Sequence, residues 1–204
     1  MSYSKFTNLE LKREFGVSQE FGENLFSHYP PQKPSRLLTE FLDEYVAFAL
    51  GQGTEKARSE YIIAPVLGEI RKISKNQVSV FSGIEFNVDR KHKLTGVCDF
   101  LISRSPYQTA LESPVVVAVE AKRQDFELGI NQCIAEMIAA RMFNEKNGQQ
   151  IDKIYGCVTT GDVWRFLVLE DNLAKIETVS FDVREDIERI LGIIYAMALG
   201  ETED

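Results

Sequence analysis

Between Leu37 and Phe48 the apolar residues Leu37, Leu38, Phe41, Leu42, Tyr45, Val46 and Phe48 recur at the spacing of one face of an α-helix. Ser35 stands just ahead as an N-cap, and Gly51-Gln52-Gly53 ends the run. A second helix is expected from Thr54 through TEKARSEYIIAPVLGEIRKIS. Pro65 lies inside it, and a proline there should kink the helix or restart it. Ahead of both, TNLELKREF reads as a short helix and SHYPPQKPS as a linker or extended arm.

From residue 77 the period changes to two. QVSVFSGIEFNVD, TGVCDFLISRS and PVVVAVEAKR read as successive strands, separated by the turns RKHKL and PYQTALES. FELGINQCIAEMIAARMFNEKNG follows as a long helix ending at Gly148. KIYGCVTT and VWRFLVLE then flank Gly161-Asp162, a two-residue hairpin signal. LAKIETVSF reads as an edge strand and VREDIERILGIIYAMAL as a closing amphipathic helix. The long helix can serve as a crossover after the three-strand meander. The expected fold is therefore α/β, a mixed sheet flanked by helices. An N-terminal helical extension, residues 1–53, is expected ahead of a core spanning 54–204.

Composition narrows the functional classes. The chain has 204 residues, 44% of them hydrophobic, which fits one domain with a real core. No apolar run approaches the ~20 residues of a membrane span, and MSYSKFTNLELKREFG has no apolar signal core. A cytoplasmic protein without a membrane partner is expected. Cys98, Cys133 and Cys157 sit in apolar runs without CxxC spacing and read as core residues in a reducing compartment. His28 and His92 read as turn residues, so neither a histidine base nor a histidine-rich metal site is expected. The net charge of −8 argues against strong nonspecific binding to polyanions. Much of this net charge falls in residues 181–204, where Asp182, Glu185, Asp186, Glu188, Glu201, Glu203 and Asp204 stand against only Arg184 and Arg189. The basic turn Arg90–Lys93 reads as a solvated hairpin tip or a clamp on backbone phosphate.

One strand carries an oddity. PVVVAV is apolar on both faces, so this strand should be central, yet it ends in Glu120 and Lys122 on one side. The preceding strand has Asp99 between Cys98 and Phe100. Pairing Asp99 with Glu120 centres the connection between Thr109 and Ala110, the middle of the expected loop. The two carboxylates can then be cross-strand neighbours, at ~5 Å between Cβ atoms. Such a pair repels unless a cation lies between, and hard oxygen ligands suit Mg2+ or Mn2+. Lys122 on the same face could orient water or stabilise phosphate charge. A plain strand-end ion pair between Glu120 and Lys122 is the alternative.

Asp99, Glu120-Ala121-Lys122 and Gln132 on the next helix together resemble the PD-(D/E)XK nuclease superfamily, the restriction-endonuclease-like fold. The likeness spans about residues 54–170. GVCDFLI is similar to its metal-Asp strand, VAVEAKR to its ExK strand and INQCIAEMIAAR to the helix that follows. SEYIIAPVLGEI resembles the first core helix, and VTTGDVWRFLVLE a strand–turn–strand seen near restriction subunits. The resemblance implies Mg2+-dependent endonuclease-like hydrolysis of DNA. Asp99, Glu120 and the carbonyl of Ala121 would hold the metal, Lys122 would act on the attacking water and Gln132 would position it. Glu60 is implied as the helix acid, with Glu69 second. Cys98 stands where many members have proline, and Glu136 where the exonuclease-like branch has tyrosine. Some members have lost catalysis, so a non-catalytic or partner-dependent module, or a homodimer, is the second expectation.

Overall fold

The computed structural model describes residues 3–122 and 126–200. Arg123, which ends the VAVEAKR match, and the acids Glu201, Glu203 and Asp204 lie outside the described residues. After a 3-10 turn at Tyr3–Lys5 come helix α1 (Asn8–Phe15), strand β1 (Ser18–Gly22) and helix α2 (Arg36–Gln52). One helical run follows, made of α3 (Glu55–Arg58), a π turn (Ser59–Ile63) and α4 (Ala64–Ile73). Then come β2 (Ser79–Glu85), β3 (Val97–Ser103), β4 (Val115–Ala121) and α5 (Phe126–Lys146). The chain continues through β5 (Lys153–Thr159), β6 (Val163–Glu170), β7 (Leu173–Glu177), β8 (Phe181–Asp182) and α6 (Ile187–Leu199).

The strands form one mixed sheet in the order β1-β7-β6-β5-β4-β3-β2, with β8 also paired to β6. β4 and β5 are parallel, joined by α5 as the crossover, and β1 is parallel to β7. The other pairs are antiparallel. β4 is buried at every position, as its unbroken apolar run requires of a strand covered on both faces. Its Val117 and Val119 pack with α2, α4 and α6, while Ala118 packs with α5. Trp164 and Phe166 belong to the first of these layers as core residues. Among the described residues no helix is long and apolar enough to cross a membrane.

Local chemistry explains the helix ends. Ser35 Oγ accepts from Leu38 N–H at 3.4 Å, and Thr54 Oγ1 accepts from Ala57 N–H at 3.1 Å. Pro65 has no N–H to give and would crowd the carbonyl of Tyr61 in an α-helix. The chain ahead of it widens into the π turn, closed by Ala64 N–H to Ser59 O. Arg58 then ties this helical run to the β5–β6 hairpin, donating to Thr160 O at 2.6 Å and to Asp162 at 2.9 Å. Gly161 at the hairpin tip has φ +88°, with the Arg58 side chain against it.

The N-terminal extension differs from its expected form. Residues 18–22 are a strand, and it is β1 rather than β7 that forms the edge of the sheet. SQEFG has no alternating pattern to announce a strand, and Phe21 is largely exposed. It is held by backbone pairing with β7, in register from Ser18↔Leu173 to Gly22↔Glu177. Tyr3, Leu11 and Val17 enter the layer beneath α5, and Phe26, Tyr29, Leu38 and Val46 enter the other layer.

Candidate active site

The register of β3 on β4 pairs Phe100 with Val119, Leu101 with Ala118 and Ile102 with Val117. Continued by one residue, it sets Asp99 opposite Glu120, as the centre of the connecting loop predicts. Ala121 N–H donates to Asp99 Oδ2 at 2.9 Å. On the other side Lys122 N–H donates to Thr159 O at 2.8 Å, which carries the lysine just past the end of β4. Glu120 lies on the α5 face, 1% exposed.

Four side chains interlock there. Lys122 Nζ lies 2.5 Å from Glu120 Oε1 and donates to Gln132 Oε1 at 3.1 Å. Gln132 Nε2 donates to Glu120 Oε2 at 2.7 Å and to Glu136 Oε1 at 3.3 Å. The amide is thereby oriented, with nitrogen toward the acids and oxygen toward the lysine. Gly129 of α5 makes room for this. A Cβ there would meet Val158 Cγ1 at 2.8 Å and Lys122 Cγ at 2.9 Å.

Burial and mutual repulsion set the charge state. Burial, then the charge of Asp99, pushes Glu120 up to about 8, against the pull of Lys122. Glu136 goes well above the usual carboxylate range, through burial and then Glu120. Asp99 is raised by burial, partly offset by the Ala121 N–H and by Lys122. Burial works to lower the Lys122 ammonium, yet Glu120, Glu55 and Asp99 outweigh it and its net displacement is upward. Glu120 and Glu136 are close enough to share a proton. With all three acids ionised, the cluster would hold more negative charge than Lys122 can neutralise.

The structure therefore brings together Asp99, Glu120, Ala121, Lys122 and Gln132. It does not bring Glu60 to them: Glu60 is exposed and pairs with Lys56 at 3.7 Å. Glu69 is buried but accepts from Ser35 N–H and Ser35 Oγ, each at 2.9 Å, which fixes the start of α2. The acid of this helical run whose charge reaches Lys122 is Glu55, in the first turn after the Thr54 cap. Glu136 is the other member of the site that sequence reasoning missed. Its one signal was position, a single helical turn beyond Gln132 on the same face.

No protein-family model matches the chain, and no curated protein matches it. The likeness to the PD-(D/E)XK nucleases rests on Asp99, Glu120, Lys122 and Gln132 themselves.

The donor set suits a hard divalent cation. Asp99 and Glu120 offer carboxylate oxygens beside the backbone of Ala121, and Mg2+ typically takes one or two carboxylates with waters completing its shell. Glu136 Oε2 is buried beside this set and has no hydrogen-bond partner. Among the described residues no three Asp, Glu, His or Cys side chains form a ready-made ligand cage.

Proposed function

We propose that the chain is a divalent-cation-dependent phosphodiesterase acting on DNA. The observation that carries this reading is the placement of Asp99, Glu120 and Lys122 in register at the end of two central strands, on one face, with Gln132 bridging acid and base. Asp99, Glu120 and the Ala121 carbonyl would hold the cation. A bound Mg2+ or Mn2+ would polarise the phosphate and make a water molecule more nucleophilic. Lys122 stays protonated at neutral pH, so it acts as a charge and proton donor to phosphate and water rather than as a base. Gln132 keeps the ammonium from folding onto the acids alone. Glu55 adds negative charge beside Lys122 and helps to hold it in its charged form.

The test is cleavage of single- and double-stranded DNA in Mg2+ and in Mn2+, beside Glu120→Ala and Lys122→Ala proteins checked for folding by circular dichroism. Cutting should require the cation and vanish in both variants. Retained cutting by Glu120→Ala would remove the mechanism.

A partner-dependent module is the second reading. It is favoured by the outer face of α2, where Leu37 is 70% and Phe48 47% exposed, beside the ring cluster of Phe41, Tyr45 and Tyr61. A protein that cuts nothing under any cation would shift weight to it.

A further inference from the structure

Glu136 occupies an unusual place for an acid. It is 0% exposed, in the middle of α5. Its flanks along the buried helix are Cys133, Ile134, Met137 and Ile138, all fully buried or nearly so. Across from it lie Cys98 and Tyr3. Burial keeps an acid in such surroundings from carrying its charge, and an apolar residue of similar volume would suit the packing better. Lys122, the ammonium of the cluster, is bound to Glu120 and Gln132. Glu136 meets the cluster at Gln132 Nε2 and beside Glu120, and its Oε2 has no hydrogen-bond partner. The fold alone gives no reason for the acid.

The Gln132 amide gives one. A primary amide has two N–H groups, and in a buried site each needs an acceptor. Glu120 Oε2 takes one at 2.7 Å and Glu136 Oε1 the other at 3.3 Å. With both taken, Gln132 Oε1 can only face Lys122 Nζ. Remove Glu136, and one N–H is left without an acceptor, so the amide is free to turn or withdraw. Lys122 then loses a contact and falls back on Glu120 alone.

We propose that Glu136 is a positioning residue of this site: it fixes the Gln132 amide, and through it the directions of Glu120 and Lys122. The proposal rests on the cation reading of the Asp99–Glu120 pair for its metal-binding consequence, but its effect on the amide does not.

The experiment compares wild type with Glu136→Met and Glu136→Gln. The Gln132 side-chain 15N–1H pair is followed by NMR in cation-free protein, assigned through Gln132→Ala. Mn2+ binding is followed by calorimetry, and thermal unfolding is recorded for each protein. Glu136→Met should move the Gln132 resonances toward those of an unrestrained amide and should bind Mn2+ about 10–100-fold more weakly, with thermal unfolding confirming that it is folded. Glu136→Gln keeps an acceptor oxygen and should restore the wild-type Gln132 resonances. Unchanged Gln132 resonances in Glu136→Met would overturn the proposal, as would Glu136→Gln resonances displaced as far as those of Glu136→Met. Wild type that binds no Mn2+ would sink the cation reading alone, and the amide resonances would still decide the role of Glu136.

Discussion

Gly129→Ala should damage the site more than the fold. An alanine Cβ would sit 2.8 Å from Val158 Cγ1 and 2.9 Å from Lys122 Cγ, so something must retreat by about 1 Å to reach ordinary contact. Val158 is fully buried in β5 and pinned by both neighbouring strands. The Lys122 stem is the freer of the two, and moving it pulls Nζ off Glu120 and Gln132. Overpacking costs about 1–3 kcal/mol, and the better helix propensity of alanine offsets at most about 1 kcal/mol. The net is a loss of about 0–3 kcal/mol, worth about 2–4 °C in Tm per kcal/mol for a chain of this size. A reacting group displaced by about 1 Å can cost about 100-fold in rate. Urea unfolding measures the first quantity. Acetylation of Lys122, followed by mass spectrometry, reports release of its amine whether or not a substrate is known. Wild-type labelling of Lys122 together with wild-type stability would refute the reasoning, because it would mean that the added methyl displaces nothing.

Two further outcomes follow from the charges. Glu120 is raised from 4.5 to about 8 in the folded chain, and Asp99 and Glu136 are raised with it, so the folded state holds protons more tightly than the unfolded state. The resulting stability is complete below about 4.5 and is lost as pH rises toward about 8, each pH unit between the two being worth about 1.4 kcal/mol. Urea midpoints of cation-free protein should therefore fall from pH 5 to pH 9, and a flat or rising series would contradict the assignment. Glu55→Gln should slow DNA cleavage while changing stability by less than about 0.5 kcal/mol, whereas Glu60→Gln should change neither. Equal rates for the two variants would show that Glu55 has no part in the site.

Much of this arrangement was legible in the sequence because it depends on local periodicity. The two-residue period marks β2, β3 and β4, and the length of the PYQTALES connection sets their register, so Asp99 and Glu120 could be paired on paper. The unbroken apolar run ahead of Glu120 announces a central strand. Pro65 announces a break, and the π turn supplies it. Glu55 was missed because the choice of acid followed the resemblance to Glu60 and Glu69, and the first turn after the Thr54 cap was not weighed. Glu136 was missed because its burial depends on the way α5 lies across the sheet, which no local pattern states. β1 was missed for the opposite reason. Its five residues contribute backbone rather than side chains, and its partner lies some 150 residues further on.

That distant pairing bears on the order in which the molecule can be made. Everything that forms the acidic cluster, from Asp99 to Glu136, lies in one short continuous stretch and can assemble once α5 has docked on β4. The strand at Ser18–Gly22 must wait until Leu173–Glu177 has left the ribosome, so a strand made before its partner takes its place late. Until then the backbone of Ser18–Gly22 has no strand to pair with. During synthesis it is this strand, and not the acidic cluster, that stays unpaired until late.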